Sequence, residues 1–96
     1  MRILLIDDIR NIEASVIARS FEEGIRQLKI NGPWDVLLLD HDLGSFDENG
    51  REYTGYDIMC WLEENTEFLP GSIDCVSANP IGRRRIEVVR NKLYGI

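Results

Sequence analysis

The sequence has few cysteines, one histidine and no long apolar run, and each shortage excludes a class of protein. Cys60 and Cys75 are too far apart for a CxxC pair, so reduced thiols are expected in place of a disulfide framework or a zinc site. The first apolar run, residues 3–6, ends at two aspartates and is too short for a signal peptide or a membrane span. These features favour a cytoplasmic protein without membrane contact.

Positive charge is also scarce, because 11 Lys and Arg residues face 17 Asp and Glu residues and the formal net charge is -6. General nucleic-acid binding draws its affinity from positive charge against phosphates and is not expected. The one basic cluster is Arg83, Arg84 and Arg85. It predicts contact with an anion at one place only.

What is present is an ordinary globular composition in 96 residues, which predicts one small domain. Aliphatic runs at 3–6 and 36–39 each end in aspartate, as strands buried within a parallel sheet do. Segments 15–19 and 72–77 are predicted as two further strands. Helices are predicted over residues 20–31, 54–65 and 79–95 from their apolar spacing and capping residues. The alternation predicts an α/β fold with a small, doubly wound parallel sheet of about four strands.

Two connections do not fit a regular version of that fold. Only about eight residues separate the first two strands, whereas a parallel crossover normally needs about a dozen and a helix. An irregular connection is expected there. Residues 44–53 contain turn-forming residues after a predicted strand, and this loop could be a lid over the site or a mobile surface loop.

Aspartates follow two strands that should be neighbours: Asp7 and Asp8 follow the first, and Asp40, with Asp42 nearby, follows the third. Clustered carboxylates must share protons or hold a cation, and their hard oxygens suit Mg²⁺ or Mn²⁺. The alternative for any single aspartate is a capping role at the surface. An EF-hand calcium loop starting at Asp40 is excluded, because Arg51 stands where the bidentate glutamate belongs.

An anion site is predicted beside the acidic residues. Ser77 ends the fourth strand, Asn79 opens a helix, Gly82 would allow a close approach, and Arg83 is the arginine nearest the helix start. The alternative is that Ser77 and Asn79 serve only the turn and the helix cap.

Two further side chains are candidates for contact with a phosphate. Arg10 could reach a phosphate or could neutralise Asp7 or Asp8. His41 lies between Asp40 and Asp42, which would favour its protonated form as a general acid or phosphate contact, and a structural role is the alternative.

Taken together, these motifs resemble the cyclic-phosphate processing receiver domains, a stand-alone branch of the response-regulator receiver fold. The resemblance covers nearly the whole chain and is carried by residues 5–10 (LIDDIR), 39–44 (LDHDLG), 54–57 (TGYD), 61–64 (WLEE) and 77–83 (SANPIGR).

The resemblance implies that Asp7, Asp8 and Asp40 hold Mg²⁺, that the Asp42 main-chain carbonyl completes the shell, and that Ser77 contacts a phosphoryl oxygen. In ordinary receivers the residue at Asp40 accepts phosphate. This sequence lacks their fifth strand and its terminal lysine, and Lys92 is predicted within a helix. The aspartyl-phosphate switch is therefore the less favoured implication.

Three functions are consistent with these residues. The first is divalent-metal-dependent hydrolysis of a cyclic phosphate or cyclic nucleotide, with Asp40 and His41 as catalytic residues. The second is a phosphoacceptor receiver that uses Asp40 in signalling, and the third is a module that binds a small phosphorylated ligand without chemistry. The sequence does not predict the substrate or the oligomeric state.

Overall fold

The computed structural model describes residues 1–96 and has an α/β fold. In chain order the elements are β1 (Ile3–Ile6), β2 (Val16–Ala18), α1 (Phe21–Ile30), β3 (Val36–Leu39), β4 (Asp42–Phe46), β5 (Glu52–Thr54), α2 (Gly55–Glu64), a 3-10 turn (Thr66–Phe68), β6 (Ser72–Cys75) and α3 (Pro80–Tyr94). The four strands β2, β1, β3 and β6 form a parallel sheet in that order. The predicted α/β fold with four parallel strands is confirmed.

The helices begin and end where local capping chemistry predicts. Ser20 precedes α1, and its hydroxyl accepts a hydrogen bond from the Glu23 N–H at 3.2 Å. Asn79 caps α3, which ends at Gly95 with a positive φ of 69°. The observed helices lie within a residue or so of the predicted ranges, since these signals depend only on neighbouring residues. None of the helices has the length and apolar content needed to span a membrane.

The core lies between the sheet and the helices. Alternate residues of a strand point to the same face, and one face of the sheet supplies Leu4, Ile6, Ala18, Leu37, Leu39, Ile73 and Cys75. The helices contribute Leu28, Ile58, Met59, Leu62, Ile86 and Val89 to the same cluster. All three helices therefore share one core with this face, and burial of these side chains is the main stabilising contribution.

The connection between β1 and β2 is short and irregular, as predicted. Residues 7–15 contain no helix, yet β1 and β2 pair in parallel, with Leu5 opposite Ile17. Both cysteines are unpaired thiols, with Cys75 buried and Cys60 half-buried.

Residues 44–53 were expected to form a loop, but they lie within an antiparallel hairpin formed by β4 and β5. Two contacts with α1 hold the hairpin: the rings of Phe21 and Tyr53 stack with centroids 4.2 Å apart, and the Phe21 N–H donates to the Ser45 hydroxyl at 3.3 Å. The expected turn chemistry is present at the tip, where the Asp47 carboxylate accepts from the N–H groups of Asn49 and Arg51. The pairing itself depends on contacts distant in sequence.

Candidate metal centre

The strand order brings three aspartates to one edge of the sheet. Asp7 and Asp8 follow β1, Asp40 follows β3, and these strands are neighbours at the point where the chain crosses from one side of β1 to the other. Ligand sites of open parallel sheets lie at such a switch point. Each of the three carboxylates offers an oxygen, and these atoms lie within 4.8 Å of one another.

Asp7 is completely buried and fixes the start of the following loop. One carboxylate oxygen accepts from the N–H groups of Ile9 at 3.0 Å and Arg10 at 2.9 Å, and the other accepts from the Arg10 guanidinium at 3.1 Å. Burial alone would raise the pKa of Asp7, but these hydrogen bonds outweigh burial and lower it. Asp7 is therefore held as a carboxylate.

Asp40 is 5% exposed, and its pKa is shifted in the direction opposite to that of Asp7. Burial and the nearby Asp7 carboxylate raise its pKa, against the smaller effects of Arg10 and Ser77. The Arg10 guanidinium lies 3.3 Å from Asp40 and 3.1 Å from Asp7, so it bridges the two acids. The structure thus shows the neutralising role of Arg10, and its contact with a phosphate stays a prediction.

The cluster fits a divalent cation. With all three carboxyl groups ionised the cluster would carry a charge of -3 against +1 on Arg10, so a bound divalent cation would balance the remaining charge of -2. The donors are hard oxygens, which Mg²⁺ and Mn²⁺ prefer. Asp8 is the least enclosed of the three and has no ion pair with Arg10, so its carboxylate is available as a ligand.

Asp42 and His41 lie beside this cluster and contact each other. His41 Nδ1 is 3.0 Å from Asp42 Oδ1, and the Asp42 side chain is 55% exposed. The carboxylate of Asp42 is not among the three clustered acids. Coordination of the cation by the Asp42 main-chain carbonyl stays a prediction. His41 Nε2 is buried and has no hydrogen-bond partner.

Three glycines allow backbone to approach the site closely. A Cβ at Gly82 would overlap the His41 ring, one at Gly55 would overlap the Asp40 carbonyl, and one at Gly44 would crowd the Asp8 carboxylate. Gly55 also donates its N–H to the His41 carbonyl at 2.7 Å. Sequence reasoning assigned only Gly82 to the site. Gly55 could have been identified, because it is the glycine of the TGYD motif at residues 54–57. Gly44 could not, because its position beside Asp8 depends on the β4–β5 hairpin, which was not predicted.

Ser77 and Asn79 connect the site to α3. Ser77 is 5% exposed, and its hydroxyl accepts from the Asn79 N–H at 3.0 Å. The Asn79 side chain accepts from the N–H groups of Ile81 and Gly82, and its carbonyl accepts from Arg83. These N–H groups already have hydrogen-bond acceptors within the protein. Asn79 therefore serves as the cap of α3, which was the alternative to a role in anion binding. Phosphate contact by these residues stays a prediction.

Residues 2–92 match the model of the cyclic-phosphate processing receiver domain. The chain belongs to this family. No curated protein and no solved structure gave a match.

Two basic residues of this receiver domain lie outside the acidic cluster. Arg83 is half-exposed and pairs with Glu87 at 3.3 Å. Lys92 pairs with Glu63 at 2.7 Å on the exposed side of α3 and α2, and does not replace the lysine of ordinary receivers. In the described chain, Arg10 is the only cation paired with the clustered acids.

Proposed function

We propose that this receiver domain hydrolyses a cyclic phosphate, such as a cyclic nucleotide, with Mg²⁺ or Mn²⁺ held by Asp7, Asp8 and Asp40. The observation that carries the proposal is the cluster of three carboxylates beside a single arginine, at the switch point of a domain whose family processes cyclic phosphates. In this reaction water adds to phosphorus, one ring P–O bond breaks, and the leaving oxygen gains a proton.

The bound ion would supply charge neutralisation and Lewis acidity at the phosphoryl oxygens. Arg10 would turn from the acids toward the ligand once the cation neutralises them, because its side chain is one-third exposed and rests on charge pairing. The Ser77 hydroxyl would donate to a phosphoryl oxygen, and Arg83 would contact the ligand from the start of α3.

Asp40 and His41 are the proposed proton-transfer residues. Asp40 would accept a proton from the attacking water at its carboxylate, and it lies where its strand delivers it to the edge of the sheet beside Asp7 and Asp8. His41 would return a proton to the leaving oxygen, with Asp42 orienting the imidazole through Nδ1. Since Nε2 is buried, this role requires the ring to turn when ligand binds.

The test is turnover of cyclic mononucleotides, cyclic dinucleotides and terminal cyclic phosphates, followed by ³¹P NMR with Mg²⁺, with Mn²⁺ and with EDTA. We expect product from one class only when divalent metal is present. Asp40→Asn should abolish it, whereas Asp74→Asn, which changes an exposed aspartate on β6, should not. Full activity in EDTA or in Asp40→Asn would refute the proposal.

A phosphoacceptor role for Asp40 is the second candidate, and it is supported by the buried Ser77, whose side chain is near enough to Asp40 to act on the pKa of that carboxyl. Incubation with an acyl phosphate and Mg²⁺ should then give a stable mass increase located at Asp40. Metal-dependent ligand binding with neither turnover nor phosphorylation would instead indicate the binding-module function.

A further inference from the structure

The loop that carries the acidic residues is held by a side chain from the neighbouring strand. Residues 7–15 have no helix that could fix them against the sheet. Arg19, directly after β2, donates from Nη1 to the Asp7 carbonyl at 3.3 Å and to the Arg10 carbonyl at 2.6 Å. Its Nη2 donates to the Asn11 side-chain oxygen. One guanidinium therefore binds both ends of the segment that contains Asp8 and Arg10.

Arg19 is itself fixed in place. Its backbone N–H donates to the Glu23 carboxylate at 3.1 Å, and Glu23 lies in the first turn of α1. β2 is paired with β1 through Leu5 and Ile17. A planar guanidinium directs its N–H groups rigidly, so a fixed Arg19 defines the positions of the two carbonyls that it binds.

We propose that Arg19 is a positioning residue for the metal centre, which it serves by fixing the backbone from Asp7 to Arg10 so that the Asp8 carboxylate faces those of Asp7 and Asp40. Arg19 touches neither the three carboxylates nor a ligand in this arrangement, and it acts through the loop. The inference rests on the proposed metal-dependent function. Outer residues that orient metal ligands typically contribute roughly 10–100-fold to metal affinity.

The experiment compares Arg19→Met with Arg26→Met, which removes the same charge from an exposed position on α1. Two quantities are measured: the Mn²⁺ dissociation constant, and the hydrogen-exchange rates of the Ile9 and Arg10 amides by NMR in metal-free buffer. Both amides donate to Asp7 Oδ1 and report on the loop directly. Amides of α3 serve as the internal reference for global stability.

We expect Arg19→Met to weaken Mn²⁺ binding about tenfold or more and to accelerate exchange at Ile9 and Arg10 but not in α3, while Arg26→Met changes neither. Unchanged Mn²⁺ affinity in a folded Arg19→Met variant would overturn the inference and leave the metal proposal intact. If the wild type fails to bind Mn²⁺, the metal proposal fails and positioning of a metal centre fails with it; the amide rates then show only whether Arg19 orders the loop.

Two milder variants keep the inference testable if Arg19→Met does not fold. Arg19→Lys keeps the charge, but an ammonium group lacks the planar, spread N–H groups that reach the Asp7 carbonyl, the Arg10 carbonyl and the Asn11 side chain together. We therefore expect this variant to bind Mn²⁺ more weakly than wild type. Asn11→Ala removes one exposed acceptor and should give a smaller loss in the same direction. Wild-type affinity and wild-type exchange in both variants would contradict the proposed role.

Discussion

Gly82 and His41 are in direct contact, and this contact decides which residue can occupy position 82. The His41 ring lies where a Cβ of residue 82 would be, and the first turn of α3 follows from the Asn79 cap. The sequence suggested that Gly82 leaves space for an anion, whereas the structure shows the imidazole in that space. This could not be predicted, because the ring and the glycine are distant in sequence and meet only when α3 packs on α2 and β6.

Gly82→Ala should destabilise the protein by roughly 1–3 kcal/mol, since the added methyl group must displace either the ring or the helix. His41→Ala in the same chain should recover most of that loss, and the two changes should be strongly non-additive in a double-mutant cycle. Chemical denaturation of the four proteins measures the interaction. Simple additivity would show that the contact does not exist in solution.

The β4–β5 hairpin is the element that sequence reasoning missed, and its contacts explain why. The predicted helices and buried strands carry local signals such as caps and aliphatic runs. Asp42–Phe46 and Glu52–Thr54 have mixed composition, and two contacts with Phe21 hold the hairpin: the stack with the Tyr53 ring and the hydrogen bond to the Ser45 hydroxyl. Turn-forming residues were visible, but the docking of the hairpin on α1 was not.

Tyr53→Ser should release the hairpin from α1. We expect faster hydrogen exchange throughout residues 42–54 and a loss of stability of about 1–3 kcal/mol, because the stacked ring is removed. Phe46→Ser is the matched control, since Phe46 is also aromatic and on the hairpin but is 60% exposed. Similar exchange in the two variants would contradict the assigned docking contact.

At the scale of the whole molecule, the position of the site followed from the alternation of strands and helices, because strands ending in aspartate meet at one edge of a parallel sheet. Asp7, Asp8 and Asp40 could be assigned on that basis. The ion pair of Arg10 with Asp40 and the contacts of Arg19 could not, since each depends on side-chain conformation after packing.

Tyr94 links the end of α3 to the turn before β6 and makes global stability depend on pH. Its hydroxyl donates to the Pro70 carbonyl at 2.6 Å, and burial raises its pKa to about 12. Because the folded-state pKa lies above that of an exposed tyrosine, the stabilisation is complete below about pH 10 and is lost as pH rises toward about 12.

Tyr94→Phe should cost about 1 kcal/mol at neutral pH, through loss of the hydrogen bond. The difference in unfolding free energy between wild type and Tyr94→Phe should stay constant below about pH 10 and shrink above it. Urea denaturation of both proteins from pH 7 to 11 measures this difference. A difference that grows with pH would contradict a half-buried Tyr94 that is neutral in the folded protein.

The claim on which the functional account depends is that the acidic cluster binds one divalent cation. The most direct measurement is titration with Mn²⁺ by calorimetry, comparing wild type with Asp8→Asn and with Asp74→Asn. Asp8 is the suitable ligand to change because Asp7 also supports the loop. We predict one site in wild type and in Asp74→Asn, and binding weakened about tenfold or more in Asp8→Asn. Absence of binding in wild type, or equal affinity in Asp8→Asn, would contradict the account.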